Sequence, residues 1–151
     1  GAGLSNKTSE SILFSNESGS RLGSLTKRRL DHFGIDFNIE ENIKLIQFKD
    51  YWNENINSEF IDLFKIDVEG HEMDVLNGIG NGISKIKLIQ FEFGGCNIDT
   101  RSFFQDFWYF FNKHNFKIFR ISPLGLIELK QYKEIYEHFT TTNFLCLNKG
   151  V

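Results

Sequence analysis

Proline and alanine are nearly missing from this 151-residue chain: Pro123 is the only proline and Ala2 the only alanine. Phe, Ile, Asn and Lys are abundant in their place, the mark of an AT-rich coding bias rather than of a special fold. No proline-rich, repeated or low-complexity stretch divides the chain. Cysteine is scarce too. Cys96 and Cys146 form neither a CxxC pair nor a disulfide framework, which fits a reducing compartment, most simply the cytoplasm. No apolar run approaches the ~20 residues that span a bilayer, and the N-terminus shows no signal-peptide core. Basic excess is also lacking. With 17 Lys+Arg against 20 Asp+Glu the net charge is −3, so nothing electrostatic favours nucleic acid or an anionic membrane as a partner.

What is present is a globular composition, 40% hydrophobic and 25% charged. The length fits one domain, residues 1–151, with a core of its own. Residues 1–25 read as a loop region carrying one short strand at Ile12–Phe14, and Leu25–Phe33 as a short basic helix stopped near Gly34. A strand at Ile43–Phe48 precedes a polar, partly helical stretch. From residue 60 the pattern sharpens: strands are expected at Phe60–Ile66, Ile86–Phe93, Phe116–Ile121 and Asn143–Leu147. Helices are expected from Gly70 to Leu76, reaching toward Ile79, and from Asp99 or Thr100 to about His114. Strand–helix–strand–helix–strand with short connections predicts a parallel sheet with helices packed on it.

In open α/β sheets, functional residues gather beyond the carboxyl ends of the strands. Here those positions are Asp67-Val68-Glu69-Gly70-His71-Glu72 and Glu92-Phe93-Gly94-Gly95. Asp67 is the strongest candidate, because a carboxylate at the mouth of a central strand needs a partner or solvent. His71 suits a general base near neutral pH, and also suits a helix start facing water. Glu72 has a structural explanation in the helix dipole. Asp67, Glu69 and His71 could also share a metal ion, but a zinc-protease motif would need a histidine at position 75, where Val75 stands.

Gly78-Ile79-Gly80-Asn81-Gly82 is no dinucleotide fingerprint, since it follows a helix and precedes a strand; it reads as a helix stop. Phe104, Phe107, Trp108 and Phe111 fall at i, i+3, i+4 and i+7, one helix face against the sheet. Phe103 and Phe110 lie off that face, so a partner or a second copy of the chain could cover it.

The stretch from Ile61 to Gly78, IDLFKIDVEGHEMDVLNG, resembles the D-L-L-K-I-D-x-E-G-x-E-x-x-V-L-x-G block of FkbM-type methyltransferases. Gly3-Leu4-Ser5-Asn6, Ser20 to Leu25, Ile89–Phe93 and the two late strands agree in order. The resemblance implies a Rossmann-like, doubly wound α/β sheet whose last strand is antiparallel. It also implies S-adenosylmethionine as cofactor, and O-methylation of a small molecule, glycan or natural product. On that footing Asp67, Glu69 and Ser24 are expected on the cofactor, and Asp67, Glu69, His71 and Glu92 around the chemistry.

The family domain opens with a strand, a glycine-rich turn for the cofactor and a second strand. Nothing before Gly3 supplies them, so the chain is expected to be the C-terminal, acceptor-side part of the domain. It should bind cofactor weakly alone and carry an open edge at 61–67, a second route to self-association. Two other readings compete. One is a non-catalytic interaction module on the same fold; the other is a metal-assisted hydrolase using Asp67, Glu69 and His71.

Overall fold

A computed structural model describes all 151 residues, Gly1–Val151. The chain is mixed α/β and builds two mixed sheets. Strands β1 (Ala2–Ser5), β2 (Ser9–Ser15) and β3 (Ile39–Gln47) form the first, in the order β1-β3-β2. There β1 runs parallel to β3 and β2 antiparallel to it. Helix α1 (Phe48–Asn55) follows β3 directly. The second sheet takes β4 (Ile61–Ile66), β5 (Ile86–Phe93), β6 (Phe116–Ser122), β7 (Gly125–Leu129) and β8 (Thr142–Asn148), in the order β4-β5-β8-β6-β7. Helices α2 (Glu72–Ile79), α3 (Cys96–Thr100) and α4 (Phe104–Lys113) connect them.

The parallel run expected from the sequence holds for one pair. β4 and β5 are parallel, with Leu63 opposite Leu88 and Ile66 opposite Phe91. α4 then carries the chain past a gap that β8 fills, antiparallel to both β5 and β6. The last strand is therefore antiparallel, as expected. β4 pairs with β5 alone and keeps its other edge open, with Leu63 53% exposed.

The core lies where β5 meets α4. Phe91 stacks on Phe107 at 4.6 Å and contacts Phe111 and Phe144 at 5.4 and 5.3 Å. Phe104, Phe107, Trp108 and Phe111 are all buried, the face that the spacing marked. Burying side chains of this size contributes about 1.5–3 kcal/mol each.

Several expectations are corrected. Residues 25–33 form no α-helix; only a 3-10 turn, Asp31–Phe33, appears there, closed by Gly34 at φ 67°. The segment has no apolar helical stripe, and the side chains of Ser24, Thr26 and Arg28 each bond to the turn after β4 instead. The segment instead follows an irregular path, bent at Leu25 and Thr26, where the Thr26 N–H donates to Ser24 Oγ. The helix expected from residue 99 is two, parted at Arg101 with φ 59°. α4 starts afresh because its first amides find carboxylates. Asp106 accepts from the Phe103 N–H, and Glu137 accepts from the N–H groups of Phe104 and Gln105, both at 2.8 Å. The glycine cluster 78–82 does stop α2, through Gly80 with φ 59°. Gly78 lies inside the helix, where an added Cβ would run into the Ser5 carbonyl, and its bareness lets β1 lie against α2. Two strands, not one, occupy residues 1–25, and β7 was not foreseen at all.

The accessible surface is 9075 Å², against about 7,900 Å² for a compact monomer of this mass. The β4 edge and the β6–β7 hairpin, where Leu124 is fully exposed, account for part of the excess. No helix is long and apolar enough to cross a membrane.

Candidate functional site

β4 delivers its chain end into a tight turn. After Ile66 come Asp67 and Val68, then Glu69 at φ 51° and Gly70 at φ 102°. Only glycine suits the last position. A Cβ there would stand 2.8 Å from Thr100 Cγ2 and 3.1 Å from the Cys96 carbonyl oxygen. Glu72, 1% exposed, holds the turn from beneath. Its Oε1 accepts from the N–H groups of Val68 and Gly70 at 3.2 and 3.1 Å, while Oε2 has no partner. Burial pushes this carboxyl above its ordinary range despite those bonds. The Glu72 that the sequence explained by the helix dipole is thus a buried strut of the turn.

The turn brings Asp67 and Glu69 beside Glu92, which ends the neighbouring strand. Carboxylate oxygens of all three lie within 4.8 Å of one another. Burial raises Glu69, with Arg28 opposing the shift and Glu92 and Asp67 adding to it. Glu92 is raised by burial and then by the charge of Asp67. Two cations offset the three acids: Lys65 Nζ sits 2.8 Å from Asp67, and Arg28 Nη1 3.0 Å from Glu69. The trio borders a cavity of about 550 Å³ whose other wall is Leu13 and Ser20–Gly23. A smaller, more apolar cavity of about 180 Å³ shares Leu13, Gly23 and Asp67 with it and reaches Leu4, Val68 and His71.

His71 stands apart from the carboxylate trio, with both ring nitrogens engaged. Nδ1 lies 2.8 Å from Asp74 Oδ2, and Nε2 lies 2.9 Å from Thr26 Oγ1. The three side chains weighed for a metal, Asp67, Glu69 and His71, are therefore not the set that converges; Glu92 takes the place of His71. Ser24 is 1% exposed, and its hydroxyl donates to the Glu69 carbonyl at 2.8 Å while accepting from the Thr26 N–H. Cys96 is no nucleophile: burial and nearby acids push its thiol up to about 12. Sequence reasoning did not find Arg28, Thr26 or Asp74. The basic run Lys27-Arg28-Arg29 was the one visible signal, and it was read as a helix.

Residues 3–118 match the model of the methyltransferase FkbM domain. The chain belongs to this family. FkbM-family proteins are S-adenosylmethionine-dependent methyltransferases, and the matched span contains both sheet-end segments of the crevice, Asp67–Glu72 and Glu92–Gly95. The FkbM match ends within β6, so β7 and β8 lie beyond it. No curated protein and no solved structure matches the chain.

Proposed function

We propose that the crevice formed by Asp67, Glu69 and Glu92 is the methyl-transfer site of an S-adenosylmethionine-dependent O-methyltransferase. Its acceptor is the hydroxyl of a small molecule, a glycan or a natural product. One observation carries the reading: three carboxylates converge within 4.8 Å at the carboxyl ends of two adjacent parallel strands, against an open cavity. That is where open α/β sheets place ligands. The β4–β5 pair, with β8 antiparallel beyond it, supports the later half of a doubly wound methyltransferase sheet.

The residues fit the cofactor. S-adenosylmethionine carries a sulfonium and an ammonium beside one carboxylate, and three carboxylates against Lys65 and an Arg28 shared with Asp99 leave the crevice net acidic. Asp67 and Glu69 would hold the cationic portion, and Ser24 would act through the Glu69 backbone it fixes. When bound, the cofactor supplies an electrophilic methyl group. What remains for the protein is to orient the acceptor and take its hydroxyl proton. Asp67, Glu69, Glu92 and His71 are the groups at the crevice able to accept it. Burial raises Glu69 and Glu92, which favours their taking up a proton.

The reading is tested on the intact protein by supplying S-adenosylmethionine labelled with ¹³C in the methyl group and a panel of hydroxylated acceptors. The product should carry its label as a methyl ether. Transfer to nitrogen or carbon alone would overturn the assignment of the acceptor, and no transfer to any acceptor would overturn the activity.

A further inference from the structure

His71 sits in a continuous chain of side-chain hydrogen bonds that joins three segments of the chain. Asn6, just after β1, donates from Nδ2 to Asp74 Oδ1 at 2.9 Å. Asp74 Oδ2 faces His71 Nδ1 at 2.8 Å from one turn along α2. His71 Nε2 faces Thr26 Oγ1 at 2.9 Å, and Thr26, half-buried, directly follows the Ser24–Leu25 lining of the smaller cavity. A carboxylate is an acceptor, so the ring nitrogen facing it carries the proton. Nε2 of the neutral ring is then bare, and the Thr26 hydroxyl donates to it. Donation leaves the lone pairs of Thr26 Oγ1 without a protein partner, for it makes no other hydrogen bond. His71 lines the apolar cavity that shares Asp67 with the acidic one.

We propose that Asp74, held by Asn6, is a positioning residue that fixes His71 as the neutral Nδ1–H tautomer, and that Thr26 relays the acceptor's proton to Nε2. The relay rests on the methyl-transfer reading above; the tautomer does not. In the relay the O–H bond of the acceptor breaks and its proton bonds to Thr26 Oγ1, while the proton of Thr26 passes to Nε2. The acceptor oxygen keeps the electron pair with which it bonds to the methyl carbon. The imidazolium so formed faces the Asp74 carboxylate. This division of labour, an acid orienting an imidazole that serves a hydroxyl, depends on geometry rather than on any one reaction.

Asn6 makes the arrangement directional. In Asp74→Asn the amide oxygen stays with the Asn6 donor, so the amide N–H₂ turns to His71 Nδ1 and forces the proton onto Nε2. Two-bond ¹H–¹⁵N spectra of the ¹⁵N-labelled 151-residue chain, at a pH where the ring is neutral, read this directly. The wild-type chain should show protonated Nδ1 and bare Nε2, and Asp74→Asn should reverse the pattern. A wild-type ring protonated on Nε2, or an even mixture of tautomers, would overturn the positioning role whether or not the variant folds. In methyl transfer, Thr26→Val should lose roughly 100-fold, and Thr26→Ser should restore most of it. Equal rates for Thr26→Val and wild type would overturn the relay. A wild-type protein that transfers no methyl group would overturn the function and the relay with it, and leave the tautomer result standing.

Discussion

Arg28 Nη1 lies 3.0 Å from Glu69 Oε2, linking an irregular segment of the N-terminal half to the turn after β4, with the Arg28 side chain 12% and that of Glu69 19% exposed. The same guanidinium points its Nε at Asp99 Oδ2, 3.6 Å away. One cation thus serves two acids from two different connections, and it holds the wall of the crevice against its floor.

Arg28→Met should therefore cost more than a surface ion pair. Removing one partner of a mostly buried pair leaves charges uncompensated, and partial solvent access moderates the penalty to about 2–3 kcal/mol. Thermal denaturation should show a drop of roughly 5–10 °C. Burial already raises the Glu69 carboxyl and Arg28 opposes that shift, so its loss moves the carboxyl further up. The acid limb of the rate profile should move to higher pH.

Glu72 separates the value of a hydrogen-bond acceptor from that of a charge. Glu72→Gln keeps an oxygen for the amides of Val68 and Gly70, whereas Glu72→Ala orphans both and should destabilise by about 1–3 kcal/mol. The folded carboxyl is raised above its unfolded value, so its protonated form favours the fold. That contribution is complete below the ordinary carboxylate range and is lost as pH rises through the raised value. Glu72→Gln should match or exceed the wild-type melting temperature at neutral pH and lose any advantage on acidification. A variant markedly less stable than wild type at neutral pH would refute the buried-charge account.

Gly70 combines a φ of 102° with a lack of space, since Thr100 and the Cys96 carbonyl crowd its missing Cβ. Gly70→Ala should cost about 1–3 kcal/mol in denaturant unfolding, and it should displace Glu69 and so weaken methyl transfer beyond the stability loss. Gly125, with φ 117° and open space around it in the β6–β7 turn, is the control: its alanine variant should lose stability through φ strain alone and leave the rate unchanged.

How far the sequence foretold this molecule depends on where each contact is made. β5 and α4 were legible because their burial is written in their own periodicity, as in Ile86, Ile89, Phe91 and Phe93, or Phe104, Phe107, Trp108 and Phe111. The place of Asp67, Glu69 and Glu92 at neighbouring strand ends was legible because both strands are marked by their own apolar runs. Thr26, Arg28 and Asn6 were not. Their partners lie 45, 41 and 68 residues away, and no local pattern encodes a contact at that distance. The same reason explains the helix expected at 25–33: tertiary bonds to the β4 turn outweigh a weak local preference. β7 escaped notice because four of its five residues are exposed, which leaves no burial period to read.

If methyl transfer occurs in the Asp67 crevice, Asp67→Asn should remove most of it. The Asp67 side chain is 45% exposed and paired with a still more exposed Lys65, a contact worth about 0–1 kcal/mol. The fold should scarcely notice the change. Between wild type and Asp67→Asn, kcat/KM should fall roughly 100-fold or more while the melting temperature stays nearly unchanged. Methyl transfer at the wild-type rate in Asp67→Asn would contradict that assignment.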